Sequence, residues 1–186
     1  MTKTWVIGCP HFGHHNIYSF KDDDGNLIRP YADNADDGDE YIRQRWQETI
    51  SSKDTVYVNG DVAMARWGLK RLEALNGKLI LIMGNHDSHP MQDYLQYFQR
   101  ILPEKKVDQF IISHRPLHPG SLPTWCLGNI HAHTHERPVT METEDGPVPD
   151  PRYFNTCVEV NDFRPVLLHD AMNALRRRNQ VSEPQG

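Results

Sequence analysis

The chain has 186 residues, 38% of them hydrophobic and 24% charged, which is enough for one globular domain with a sizeable core. No uninterrupted apolar run is long enough to cross a bilayer, and no basic segment followed by a long apolar stretch marks a secretory leader. The net charge of −5 argues against extended nucleic acid as a partner but leaves room for a small phosphorylated substrate held by a local metal charge. Cys9, Cys126 and Cys157 are odd in number and cannot all pair within one chain, so a reducing, cytoplasmic setting is the expectation.

Apolar runs and helix-like patterns alternate along the chain. Residues 5–9 form a short apolar run that leads into Pro10 and His11. Residues 21–26 look like a calcium loop at first glance. Counted from Asp22, however, the sixth position is Leu27 and the twelfth is Asp33, where such a loop needs Gly and Glu. Asp24-Gly25 instead reads as a hairpin turn. Residues 36–50 carry Ile42, Trp46 and Ile50 at four-residue spacing and read as an amphipathic helix. The polar stretch 51–54 joins it to an apolar run at 55–58, which leads into Asn59-Gly60-Asp61. Leu69, Leu72 and Leu75 predict a second helix, stopped near Asn76-Gly77.

The run at 78–83 reads as a buried strand between Gly77 and Gly84 and ends abruptly in Gly84-Asn85-His86-Asp87. Pro90 is placed to open a third helix, with Tyr94, Leu95 and Phe98 on its apolar side. Residues 110–112 lead into Ser113-His114, and residues 126–130 into His131-Ala132-His133-Thr134-His135. Residues 140–151, rich in acid, Pro and Gly, read as a surface excursion before a strand at 153–160. A last helix from about 169 to 178 ends in Arg176-Arg177-Arg178, whose charges favour the helix dipole. One domain over 1–179 is expected, with residues 180–186 a frayed tail. A lone Gly-Asn-His-Asp is by itself only a loop turn. Five apolar runs that each end in a potential metal ligand are a different matter, because strand tips are where open α/β sheets place their sites.

In order, Cys9-x-His11, Gly60-Asp61, Gly84-Asn85-His86-Asp87, Ser113-His114 and Ala132-His133-Thr134-His135 make up a set that resembles the calcineurin-like metallophosphoesterases. That family's pattern is Asp-x-His, Gly-Asp, Gly-Asn-His-Asp/Glu, His, then Gly-His-x-His. The resemblance runs from residue 5 to about 160 and is closest to small single-domain bacterial and phage members. It extends to His11-Phe12-Gly13-His14-x-Asn16-Ile17 and to Tyr153-Phe154-Asn155. It implies an α/β, four-layer αββα sandwich, with two mixed β-sheets flanked by helices. It also implies two divalent metal ions. One would take Cys9, His11, Asp61 and His135; the other would take Asp61, Asn85, His114 and His133.

Imidazole and carboxylate ligands suit Mn, Fe, Ni or Zn better than Ca. By the same resemblance a metal-bridging hydroxide attacks phosphorus, His86 protonates the leaving oxygen, and Asp87 orients His86. Two positions depart from the family pattern. Cys9 stands where the family has Asp: as a thiolate it is a soft ligand that favours Zn or Fe, and as a buried thiol it removes one ligand. Ala132 stands where the family has Gly, a change that matters only if the backbone there has positive φ.

His14, Asn16 and Arg115 are further candidates to contact substrate, Arg115 through a guanidinium fork. Arg29 reads as solvated surface and His131 as structural. Trp5, Trp46, Trp67 and Trp125 read as packing residues, although Trp67 or Trp125 could stack on a base. The function expected is hydrolysis of a phosphodiester in a nucleotide or cyclic nucleotide-like molecule. Phosphomonoester hydrolysis, or phosphate binding without turnover because of Cys9, are the alternatives. Metal identity, natural substrate and oligomeric state are not legible in the sequence.

Overall fold

A computed structural model describes residues 2–181 of the chain. The short apolar runs form two mixed sheets. In the first, β1 (Thr4–Ile7), β2 (Thr55–Val58) and β3 (Lys78–Ile82) lie parallel, β4 (Arg100–Leu102) extends them, and β11 (Val166–Leu167) pairs antiparallel with β1. The order is β11-β1-β2-β3-β4. Parallel neighbours need crossover connections. Here α1 (Ala35–Thr49) and a 3-10 segment, Arg66–Leu72, supply them.

The second sheet has the order β10-β7-β6-β5. Its strands β5 (Glu104–Val107) and β6 (Phe110–Ser113) are antiparallel, while β6, β7 (Gly128–His131) and β10 (Tyr153–Asn155) are parallel. A separate exposed hairpin of β8 (Thr140–Thr143) and β9 (Gly146–Pro149) forms the excursion expected between residues 140 and 151.

Side-chain alternation decides which face of the first sheet meets what. Ile7, Val56, Val58, Leu79 and Leu81 cluster with Ile42, Trp46, Leu69 and Leu72, so α1 and the 3-10 segment cover this face. Val6, Tyr57 and Ile82 cluster with Phe110, Ile112 and Ile130 of the second sheet and with Leu168, Ala171, Met172 and Leu175 of α3 (Leu168–Val181). Fully burying one such aliphatic side chain stabilises the fold by about 1.5–3 kcal/mol. The sandwich of two mixed sheets with helices against them is the architecture expected. Among the described residues, no helix is long and apolar enough to cross a membrane.

Several local expectations are corrected. The second helix is the short 3-10 segment rather than a run to Leu75. Gly68 lies against the Phe12 backbone so closely that a Cβ would come within 2.4 Å of its carbonyl oxygen, and Ala74 sits at φ 59, which ends helical geometry. The third helix is a single turn, α2 (Met91–Tyr94), with Tyr94 and Phe98 buried but Leu95 exposed. The chain must then reach β4, where the Gln99 N–H meets the Leu79 carbonyl. The strand after Tyr153 stops at Asn155 because the Asn155 side chain accepts the Cys157 N–H, and a 3-10 turn, Val158–Val160, follows. The last helix runs on through Val181; the rest of the expected tail, 182–186, lies outside the described residues.

Candidate metal centre

The C-terminal tips of β1, β2, β3, β6 and β7 deliver their loops to one place, and backbone hydrogen bonds zip those loops together. Cys9 N–H donates to the Gly60 carbonyl, His11 N–H to Asp61, and Ala132 N–H to His114. The Gly8 N–H donates to the Thr156 carbonyl and the Gly8 carbonyl accepts the Val158 N–H, which binds the first sheet's leading loop to the second sheet. Two glycines permit the approach. A Cβ on Gly84 would lie 2.3 Å from Asp61 Oδ1, and one on Gly60, at φ +78, would lie 2.2 Å from His114 Nδ1. Cys9, His11, Asp61, His133 and His135 all have left-handed backbone, with φ between 51 and 73. Such residues cost of order 1–3 kcal/mol each and persist where the surroundings over-determine them.

Asp61 sits at the middle. Its Oδ2 lies 3.6 Å from His11 Nε2 and 3.2 Å from His114 Nε2, and its Oδ1 accepts the His86 N–H at 2.9 Å. Burial pushes its pKa up, but the His114 ring, the His86 N–H and His11 outweigh that and hold it at about 2. His114 Nδ1 donates to the buried Asn59 carbonyl at 2.9 Å. In the neutral ring this leaves the Nε2 lone pair facing Asp61 Oδ2 and also Asn85 Oδ1, the latter at 3.2 Å. Three acceptors then converge, and a cation among them resolves the conflict.

His11 carries a related signal. It is 3% exposed, and among the described residues neither ring nitrogen has a hydrogen-bond partner. Burial first, then the Arg29 charge, lowers its pKa well below the ordinary histidine value, which keeps it in the neutral form that binds metals. The donor atoms of Cys9, His11 and His135 lie within 4.8 Å of one another, as do those of Cys9, Asp61 and His114. His133 sits beside His114, with ring centroids 5.1 Å apart, and its N–H donates to Cys9 Sγ. Burial, then His114 and Arg115, lowers the His133 pKa. Imidazole, carboxylate, amide and thiol donors therefore fit a first-row divalent ion. Burial, then the neighbouring Cys157 thiol, raises the Cys9 pKa, so its surroundings favour the thiol in the absence of a cation.

His86 is exposed, with its ring 5.7 Å from that of His11. Asp87 does not hydrogen-bond to it, contrary to the orienting role expected. Both Asp87 oxygens are taken by backbone N–H groups, those of Asp61 at 2.9 Å, Val62 at 2.9 Å and Gly84 at 2.7 Å. Asp87 braces the loops that carry Asp61 and Asn85. Ala132 is absent from the positive-φ positions, so its methyl is accommodated without strain.

His14 Nδ1 accepts the Ile17 N–H and caps the 3-10 turn His15–Ser19, while Asn16 and Arg115 are exposed. His131 is buried, with Nδ1 2.7 Å from the Ala132 carbonyl. Arg29, read as surface, is 0% exposed. Its guanidinium donates to the Cys9 and Pro10 carbonyls and to Glu159 Oε1.

Glu159 escaped the sequence reading. Its Oε1 lies 3.0 Å from His135 Nδ1, and the side chain is 2% exposed. The available signal was a lone acid inside the apolar run Val158-Glu159-Val160. A cleft of about 700 Å³ opens beside His133 and His135, lined also by Phe20, Lys21, Ile28 and Arg137. A groove of similar size against β10 and the β8–β9 hairpin contains none of the candidate ligands.

Comparison with known proteins places this geometry in context. Residues 2–173 match the sequence model described as calcineurin-like phosphoesterase. An uncharacterised protein of Methanocaldococcus jannaschii is 29% identical over 176 residues, covering 90% of this chain and 88% of that protein. The gene 66 protein of Mycobacterium phage L5 is 29% identical over 97 residues, covering 49% of this chain and 43% of its own length. A crystal structure of an Aquifex aeolicus protein of unknown function superposes with a TM-score of 0.65 at 23% identity, over 93% of this chain and 99% of that one, a likeness of fold alone.

Proposed function

From the chain's membership of the calcineurin-like phosphoesterase family, which implies metal-dependent phosphoester hydrolysis, we propose that it is a binuclear phosphodiesterase acting on a small nucleotide or cyclic nucleotide-like substrate. The observation that carries this reading is the Asp61 carboxylate set between two imidazoles, one of which has both nitrogens buried and, among the described residues, unpartnered. Cys9, His11, Asp61 and His135 would hold one ion; Asp61, Asn85, His114 and His133 would hold the other. When bound, such ions neutralise phosphoryl charge and bring the pKa of water near neutrality.

The chain's own residues do the remaining work. His86, exposed at the rim with its N–H fixed on Asp61, donates a proton to the leaving oxygen. Asp87 keeps the Asp61 and Asn85 loops in register through three backbone N–H groups. The cleft at His133 and His135 supports an organic substituent beyond the phosphate: Phe20, 47% exposed, offers a ring, and Lys21 offers positive charge. His14 flanks the same region, its ring 5.6 Å from that of Phe20, and the Arg115 charge acts on His133.

The buried, protonation-favouring setting of Cys9 supports a second reading, a phosphate-binding protein without turnover. The test is hydrolysis of bis-p-nitrophenyl phosphate, p-nitrophenyl phosphate and 2′,3′- and 3′,5′-cyclic nucleotides in Mn(II), Ni(II) or Zn(II). Turnover of diesters over monoesters, abolished by chelation, is expected. Metal-loaded protein that binds phosphate but turns over none of these substrates would establish the second reading.

A further inference from the structure

Arg29 and Glu159 are separated by 130 positions in sequence, yet they form a buried ion pair, 0% and 2% exposed at the side chain and 2.7 Å apart. Burying two charges is expensive unless geometry and hydrogen bonds repay it. Apart from the Tyr18 ring, over which the guanidinium lies at 5.9 Å, the pair's hydrogen bonds lead to the same half of the centre. Arg29 Nη2 donates to the Cys9 carbonyl at 2.8 Å, and Nη1 donates to the Pro10 carbonyl at 2.9 Å. Those two carbonyls flank the left-handed turn that presents Cys9 and His11. Glu159 Oε1 meets His135 Nδ1 at 3.0 Å. This fixes the proton on Nδ1 and leaves Nε2 as the metal-binding nitrogen. The residues touched or flanked are Cys9, His11 and His135, the trio whose donor atoms already converge. His114, in the other half, is oriented by the Asn59 carbonyl instead.

We propose that the Arg29–Glu159 pair is a positioning device for the Cys9–His11–His135 half of the centre alone. It clamps the first loop from one end and sets the His135 tautomer from the other. The proposal rests on reading these residues as metal ligands, and its test separates the two ideas.

Isothermal titration of the metal-free protein with Mn(II) and Zn(II), on the wild type and the double variant Arg29→Met/Glu159→Gln, reads each binding event. Removing both charges together avoids leaving either buried and unpaired. One of the two wild-type events should weaken by about ten- to a hundredfold, the usual effect of losing a partner that orients a metal-bound histidine. The other event should keep its affinity. Two unchanged events would overturn the proposal while leaving the centre intact; a wild type that binds no ion would overturn both.

A measurement on the wild type stands even if the double variant fails to fold. Histidine side-chain NMR of the Zn(II)-loaded protein, assigned with His135→Gln, should show a His135 Nδ1-bound proton protected from exchange. A His135 ring protonated at Nε2 would contradict the proposal.

Discussion

At the scale of single residues, the centre is organised by polar groups crowded onto one another. Asp61 Oδ2 and Asn85 Oδ1 each lie 3.2 Å from His114 Nε2, and His11 is buried with both ring nitrogens lacking a partner among the described residues. His86 differs from them: it is exposed, with its backbone N–H held by Asp61 Oδ1. His86→Ala should therefore keep its bound metal and lose about 10²–10⁴ in rate on alkyl phosphodiesters. The loss on p-nitrophenyl esters, whose leaving group needs no proton, should be much smaller. Parallel kinetics on the two ester types, with metal content measured on the same samples, check this; equal losses would remove His86 from the acid's role.

The candidate ligands were legible as residue types at strand tips, because a buried apolar run that ends in Gly-Asn-His-Asp or His-x-His is locally unusual. The partners of those ligands were not. Asp87 sits next to His86 in sequence but spends its oxygens on three backbone N–H groups, a choice fixed by loop closure rather than by local pattern. Arg29 is a residue type ordinarily solvated, and the Glu159 partner that lets it be buried lies 130 positions away.

At the scale of elements, the best-read segment was α1, legible from the four-residue spacing of Ile42, Trp46 and Ile50; the structure adds the cap that fixes its start. The Asn34 side chain accepts the Asp37 N–H, and Asp36 and Asp37 sit in the positive first turn. Asn34→Ala should lower stability by about 1 kcal/mol, measured as a shift in urea midpoint at constant slope, with metal binding untouched. No shift in midpoint would mean that tertiary packing alone holds the helix end.

The segments misread were those whose form depends on distant partners. Leu69, Leu72 and Leu75 all bury, but the close approach of Gly68 to the Phe12 backbone tightens that stretch into 3-10 geometry. The short edge strands β4, β5 and β11 have too few residues for a period to show, and their pairing comes from neighbours that are already in place.

At the scale of the whole molecule, two sheets meet so that their strand tips share one rim, and buried charge comes with that arrangement. The Glu159 pKa is pushed up by burial but pulled from 4.5 to about 2 by Arg29 and His135. A depressed carboxylate stabilises the fold above its unfolded pKa, and that contribution is lost as pH falls toward the folded value. Asp61 acts in the same direction. Asp39, raised to about 6 by burial against the pull of the Gly13 N–H and Arg71, acts oppositely: its contribution is present when it is protonated and is lost as pH rises through about 6. The metal-free protein should therefore lose stability between about pH 4.5 and about pH 2, read from urea midpoints. Arg29→Met/Glu159→Gln should flatten that slope; an unchanged slope would mean that Glu159 is not the group titrating.

On the proposed function, residues from five loops gather paired divalent ions around Asp61. Bound metal in the wild type and in Asp61→Ala, loaded with Mn(II), desalted and quantified by elemental analysis, tests this most directly. The prediction is a pair of ions per wild-type chain and loss of both on removal of the shared carboxylate. Equal metal content in the two proteins, or none in the wild type, would contradict it.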